Sequence, residues 1–149
     1  MLFRSQKAVR KARLSEVATV YNTITRGIDM WLLGNGGYPS SEVWFSGSNK
    51  DVELDVNTAW TEETGGHASY TKTGYWQFEC STNACYMSFF GNDWLDNNIY
   101  WHKTPNSEWK LYNFAGNSKP TTPELCRWWR GLYGPTHMTD TMITACAAY

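Results

Sequence analysis

The sequence predicts an α+β fold in which a long N-terminal α-helix packs on an antiparallel β-sheet of about four strands, with a disulfide-closed C-terminal region. Three observations lead there. Apolar residues recur at helical spacing from Leu14 to Trp31, four later segments are dense in aromatic and β-favouring residues, and all four cysteines lie in the C-terminal half. With 149 residues the chain has room for one domain with a real core. Nine Trp, nine Tyr and six Phe against 18% charged residues suit a β-rich extracytoplasmic domain better than a cytosolic helical enzyme. A formal charge of -1 excludes a globally basic nucleic-acid binder, and no nucleic-acid partner is expected.

The first element is a helix from near residue 5 to about residue 33. Leu14, Val17, Tyr21, Ile24, Ile28 and Trp31 follow one another at intervals of three and four, so they share one packing face. "GNGGYP" stops the helix, with glycines for a left-handed cap and Pro39 beyond them. "DVELDV" alternates Val52, Leu54 and Val56 with acids and predicts a short half-buried strand. "SYTKTGYWQFEC", "ACYMSFFG", "NIYWHK" and "EWKLYNF", separated by turn-forming stretches, predict an antiparallel meander. In "PTTPELCRWWRGLYG", Thr122 is a candidate N-cap before Pro123, and Gly134 with Pro135 is a stop, so a short helix is expected. "THMTDTMITACAAY" is expected to end the chain as an irregular or extended segment.

Cys80, Cys85, Cys126 and Cys146 show C-x4-C and then C-x19-C spacing, and His67, His102 and His137 do not recur at zinc-ligand intervals. Two disulfides fit better than a metal site. Three pairings are possible; Cys80 with Cys85 and Cys126 with Cys146 are favoured because each closes a local loop. The longer of these, a loop of about 20 residues, would stabilise the fold by roughly 3 kcal/mol through restriction of the unfolded chain. Such bridges imply an oxidising compartment.

The start of the helix carries Arg4, Lys7, Arg10, Lys11 and Arg13, where the macrodipole disfavours cations. The mismatch disappears if these residues lie mid-helix, with further helix upstream. Here "QKAVRKARLSEV", followed by a helix that ends in "LLGNGGYP", resembles the stretch after the hydrophobic segment of type IV pilins and type II secretion pseudopilins. Gln6, Lys7, Ala8, Val9, Lys11, Arg13, Ser15 and Glu16 match the first part of that pattern, and Asn35, Gly36, Tyr38 and Pro39 the second. The match covers about the first 40 residues. Residues 1–5 depart from it and are set apart as a non-native start; residues 6–36 correspond to the C-terminal half of the pilin-like helix, and residues 37–149 to the head.

The resemblance implies a structural subunit that anchors in the inner membrane through a preceding apolar segment. It then assembles with other pilin or pseudopilin subunits into a helical filament, the head facing outward. It implies no cofactor and no catalysis. Lys7, Arg10, Lys11 and Arg13 are expected to contact neighbouring subunits or lipid headgroups. The competing reading is a secreted carbohydrate-binding or adhesive module. Trp94, Trp101, Trp128 and Trp129, with Trp109, are the residue type that stacks on sugars, although a domain short of Leu and Ile needs most of its aromatics in the core.

Asp93 and Asp96 in "NDWLDNN" are a weak calcium candidate, since such residues more often cap turns and their spacing is not that of a calcium loop. No serine, cysteine or histidine sits in a nucleophile motif, and Glu62 and Glu63 would point to opposite faces of a strand.

Overall fold

A computed structural model of the chain describes residues 2–56, 59–91, 93–95, 97–116 and 121–149. Helix α1 spans Leu2–Asn35, about 50 Å at about 1.5 Å per residue. It closes as predicted. The Gly37 N–H donates to Leu32 O at 2.9 Å and Gly36 N–H to Leu33 O at 3.2 Å. Both glycines hold positive φ, 79° and 129° for Gly36 and Gly37, which a side chain would resist.

The sheet is a meander of six strands in the order β2-β3-β4-β5-β6-β7, joined by a seventh, β1. The four predicted aromatic segments are its body: β4 (Tyr75–Cys80), β5 (Cys85–Phe90), β6 (Asn97–Lys103) and β7 (Lys110–Gly116). Three two-residue strands exceed the expected four: β1 (Val43–Trp44), β2 (Thr61–Glu62) and β3 (Ser69–Tyr70). The stretch "SYTKTGYWQFEC" is two strands rather than one. Thr71 N–H donates to Gly74 O at 2.7 Å and turns the chain between β3 and β4. β3 then pairs with the start of β4 and β1 with its end, so two short strands share one edge of a longer one.

"DVELDV" is not a strand. It runs as an irregular segment across α1, with Leu54 buried and Val52 and Val56 packed against the core. Gly27 makes this crossing possible, because a Cβ there would lie 2.6 Å from Val56 Cγ1. The alternation was real, but the groove it fills belongs to a helix and offers no ladder of backbone partners.

The core lies between α1 and the inner face of the sheet. Leu14, Val17, Tyr21, Ile24 and Ile28 are buried on the helix, opposite Trp76, Phe78, Met87, Phe89, Ile99, Trp101 and Leu111 on the strands. Each large apolar side chain so buried contributes about 1.5–3 kcal/mol relative to exposure. Trp31 is partly buried and meets Phe45 edge-on at 5.0 Å. β6 and β7 carry a bulge between Tyr100 and Trp101, where Tyr100 pairs with Asn113 and Trp101 with Leu111, leaving Tyr112 as the extra residue.

Helix α2 (Thr121–Tyr133) starts one residue before the expected Thr122 cap, so Thr122 and Pro123 lie inside its first turn, and it ends as expected before Gly134, which has φ 72°. Beyond it the expectation of an irregular tail is corrected. A 3₁₀ turn covers Pro135–His137 and helix α3 covers Asp140–Cys146, with Thr139 as N-cap accepting from Met142 N–H. Thr139 N–H also donates to Leu111 O at 3.0 Å, so the segment before α3 covers part of the edge of β7. The two disulfides join Cys80 to Cys85 and Cys126 to Cys146, the favoured pairings. The first staples the β4–β5 hairpin at its turn, and the second ties α2 to α3.

Candidate functional site

Helix α1 is attached to the head along only part of its length. From Leu14 onward its buried face meets the sheet, whereas Gln6, Lys7, Ala8 and Val9 are exposed. Polar contacts fix its angle. Asp29 Oδ1 accepts from Lys103 Nζ at 2.8 Å and from Trp109 Nε1 at 3.0 Å, pinning the helix to β6 and to the approach to β7. Tyr133 Oη donates to Asn22 Oδ1 at 2.8 Å, and Arg10 Nε lies 3.2 Å from Glu124 Oε2, which together bind α1 to α2. Tyr21 sits at the centre, with its ring 5.0 Å from Trp101 and 4.9 Å from Trp129. Burial, then the nearby Tyr133, pushes its phenol well above the ordinary tyrosine range, so it stays neutral.

Two open cavities flank the N-terminal half of α1. One, of about 930 Å³, lies between α1 and α2 and is lined by Lys7, Lys11, Leu14, Arg127, Trp128 and Leu132 among others. The other, of about 620 Å³, lies toward the turn between β3 and β4 and includes Arg10, Arg13, Lys72, Asp93 and Trp94. Lys7 and Lys11 therefore line one cavity, and Arg10 and Arg13 the other, as their spacings of four and three residues require, with Arg10 also reaching across to Glu124 of α2. The Arg13 guanidinium sits 5.6 Å from the centre of the Trp94 ring, a cation–π distance.

The four tryptophans of the competing, sugar-binding reading are not brought together on one surface. Trp101 and Trp129 are fully buried, and Trp109 is nearly so, because the inner face of the sheet draws on the bulkiest side chains to fill the space under α1 and α2. Trp94 and Trp128 are half-buried and line different cavities. Asp93 is exposed beside Trp94, and Asp96 lies outside the described residues. Among the described residues no group of three or more His, Cys, Asp or Glu side chains could hold a metal ion. None of their helices is long and apolar enough to cross a membrane.

Two features escaped the sequence. Lys72 and Arg127 join the basic end of α1 from a turn and from α2, and nothing local in either segment announces it. The outer face of the sheet carries a second run of rings. Tyr75 and Phe90 stack at 4.5 Å, Phe90 lies 6.1 Å from Tyr100, Tyr100 lies 6.1 Å from Tyr112, and Tyr112 stacks on His102 at 4.6 Å. The signal for it was present. Tyr75-Trp76, Phe89-Phe90 and Tyr100-Trp101 are adjacent pairs, and a strand sends one of each pair to either face. His102 is held below its ordinary range, first by burial and then by Lys110.

Comparison with family models, with curated proteins and with solved structures finds no match to this chain.

Proposed function

We propose that this chain is the head and adjoining helix of a structural subunit, a major or minor pilin or a pseudopilin, of a type IV pilus or type II secretion-like cell-envelope filament. The observation that carries the reading is the division of α1. One face is buried on the sheet from Leu14 to Ile28, while the continuous helix runs on toward its N-terminus with Gln6 to Val9 exposed and only loosely flanked by α2 and the β3–β4 turn. A helix that served only the core would gain nothing from this extension, since isolated helical turns are marginal in water. A helix that packs against other helices in a filament needs it.

The sequence pattern from Gln6 to Glu16 and from Asn35 to Pro39 supports the same assignment, as do an antiparallel sheet across the helix and disulfides suited to an oxidising envelope. In this role the subunit waits in the inner membrane with its head in the periplasm and then joins like subunits. It performs no chemistry of its own. Recovering the genomic codons upstream of Gln6 tests the reading. It expects an uninterrupted apolar segment of about 20 residues ending close to Gln6. A polar upstream region would overturn it.

A further inference from the structure

We infer that the end of the head from which α1 projects is a docking surface for anionic phospholipid headgroups. The inference rests on the proposed filament-subunit role for its setting, but its argument is local. Six cations line the two cavities beside α1: Lys7, Arg10, Lys11 and Arg13 from the helix, Lys72 from the β3–β4 turn and Arg127 from α2. Among the described residues, Asp93 and Glu124 are the acids that line these cavities, and Glu124 is engaged by Arg10. On a chain of formal charge -1, this is a local concentration of positive charge.

What lies between the cations selects the partner. Trp94 and Trp128 are half-buried, one in each cavity, and each cavity also carries an exposed aliphatic side chain, Val9 (45% exposed) beside Trp94 and Leu132 (53%) beside Trp128. Indoles and aliphatic groups interleaved with Lys and Arg match the boundary between phosphate headgroups and acyl chains. There cations pair with phosphate, and indole rings sit at headgroup depth. A single-stranded nucleic acid would instead need a basic groove that follows its backbone. Here α1 itself separates the two sets of cations, and the exposed Val9 and Leu132 would face a polyanion without compensation.

Sedimentation of the purified chain with vesicles tests the inference. Binding is expected to vesicles of phosphatidylglycerol with phosphatidylcholine, to be absent with phosphatidylcholine alone, and to be lost at roughly 0.5 M salt. The double substitution Lys7→Glu/Lys11→Glu, at two exposed helix positions, should lower partitioning at least about tenfold, and Arg13→Glu/Lys72→Glu should do the same from the other cavity. Lys110→Glu, a charge reversal of the same kind at one site on the sheet, should leave partitioning within about twofold of the parent, whereas Lys7→Glu alone should already lower it measurably.

Equal binding to neutral vesicles, indifference to both double substitutions, or binding to single-stranded DNA without binding to anionic vesicles would overturn the proposal. The assay needs no assembly. Loss of vesicle binding leaves the filament reading standing, and failure to assemble leaves this surface standing.

Discussion

At position 27 the helix gives up a side chain so that another segment can cross it. Glycine costs a helix interior about 1 kcal/mol relative to alanine, and Val56 Cγ1 occupies the place where a Cβ would stand. The two effects oppose each other and can be separated. Gly27→Ala should destabilise the parent by about 1–2 kcal/mol through overpacking, yet stabilise a Val56→Ala background in which only helix propensity remains. Urea unfolding of the four proteins of this cycle measures the coupling. Equal effects of Gly27→Ala in both backgrounds would mean that the crossing is not tight. The same reasoning from volume explains the tryptophans. Composition shows how many there are, but only the space between α1, α2 and the sheet decides that Trp101 and Trp129 are core while Trp94 and Trp128 reach the surface.

Among the elements, the pairing of β1 with the end of β4 places a carboxyl where it is difficult to ionise. Glu79, opposite Trp44 in the register, is pushed up to about 8, first by burial and then by the neighbouring Glu42. Its Oε2 is closed off from water with no hydrogen-bond partner among the described residues, so the uncharged form is the one the fold accepts. Below about pH 4.5 the carboxyl is protonated in both folded and unfolded chains, and the full stability is present. As pH rises toward about 8 the unfolded chain ionises first, so stability falls across that window and levels off above it. Urea midpoints measured at pH 5 and pH 8 should show the decline in the parent, and Glu79→Gln should flatten it. An unchanged slope in the variant would remove Glu79 as its source.

Neither this pair nor the small strands around it could be read from sequence, because two-residue strands are set by tertiary pairing rather than by local pattern. The long helix, the four central strands and both disulfides were legible because each repeats a strong local signal over many residues or closes a short loop. α3 is poorly announced, although Thr139 before Asp140 carries a capping signal, because seven residues are too few for a clear hydrophobic period. The outer-face rings are not announced by composition, because only the strand register decides which member of each adjacent aromatic pair faces outward.

Across the whole molecule, α1 is held to the head from Leu14 to Ile28, and at its N-terminal end Gln6 to Val9 remain exposed. Lys7 and Lys11 are exposed on that end, and their amines report on what lies beside them. Treatment of cells that make the protein with a short amine-reactive cross-linker, followed by mass spectrometry of the recovered chain, tests the filament role most directly. Intermolecular links are expected from Lys7 or Lys11 to the corresponding helix of a second copy or of a like subunit. Links confined to lysines of one chain, with all of the protein recovered as monomer, would contradict it.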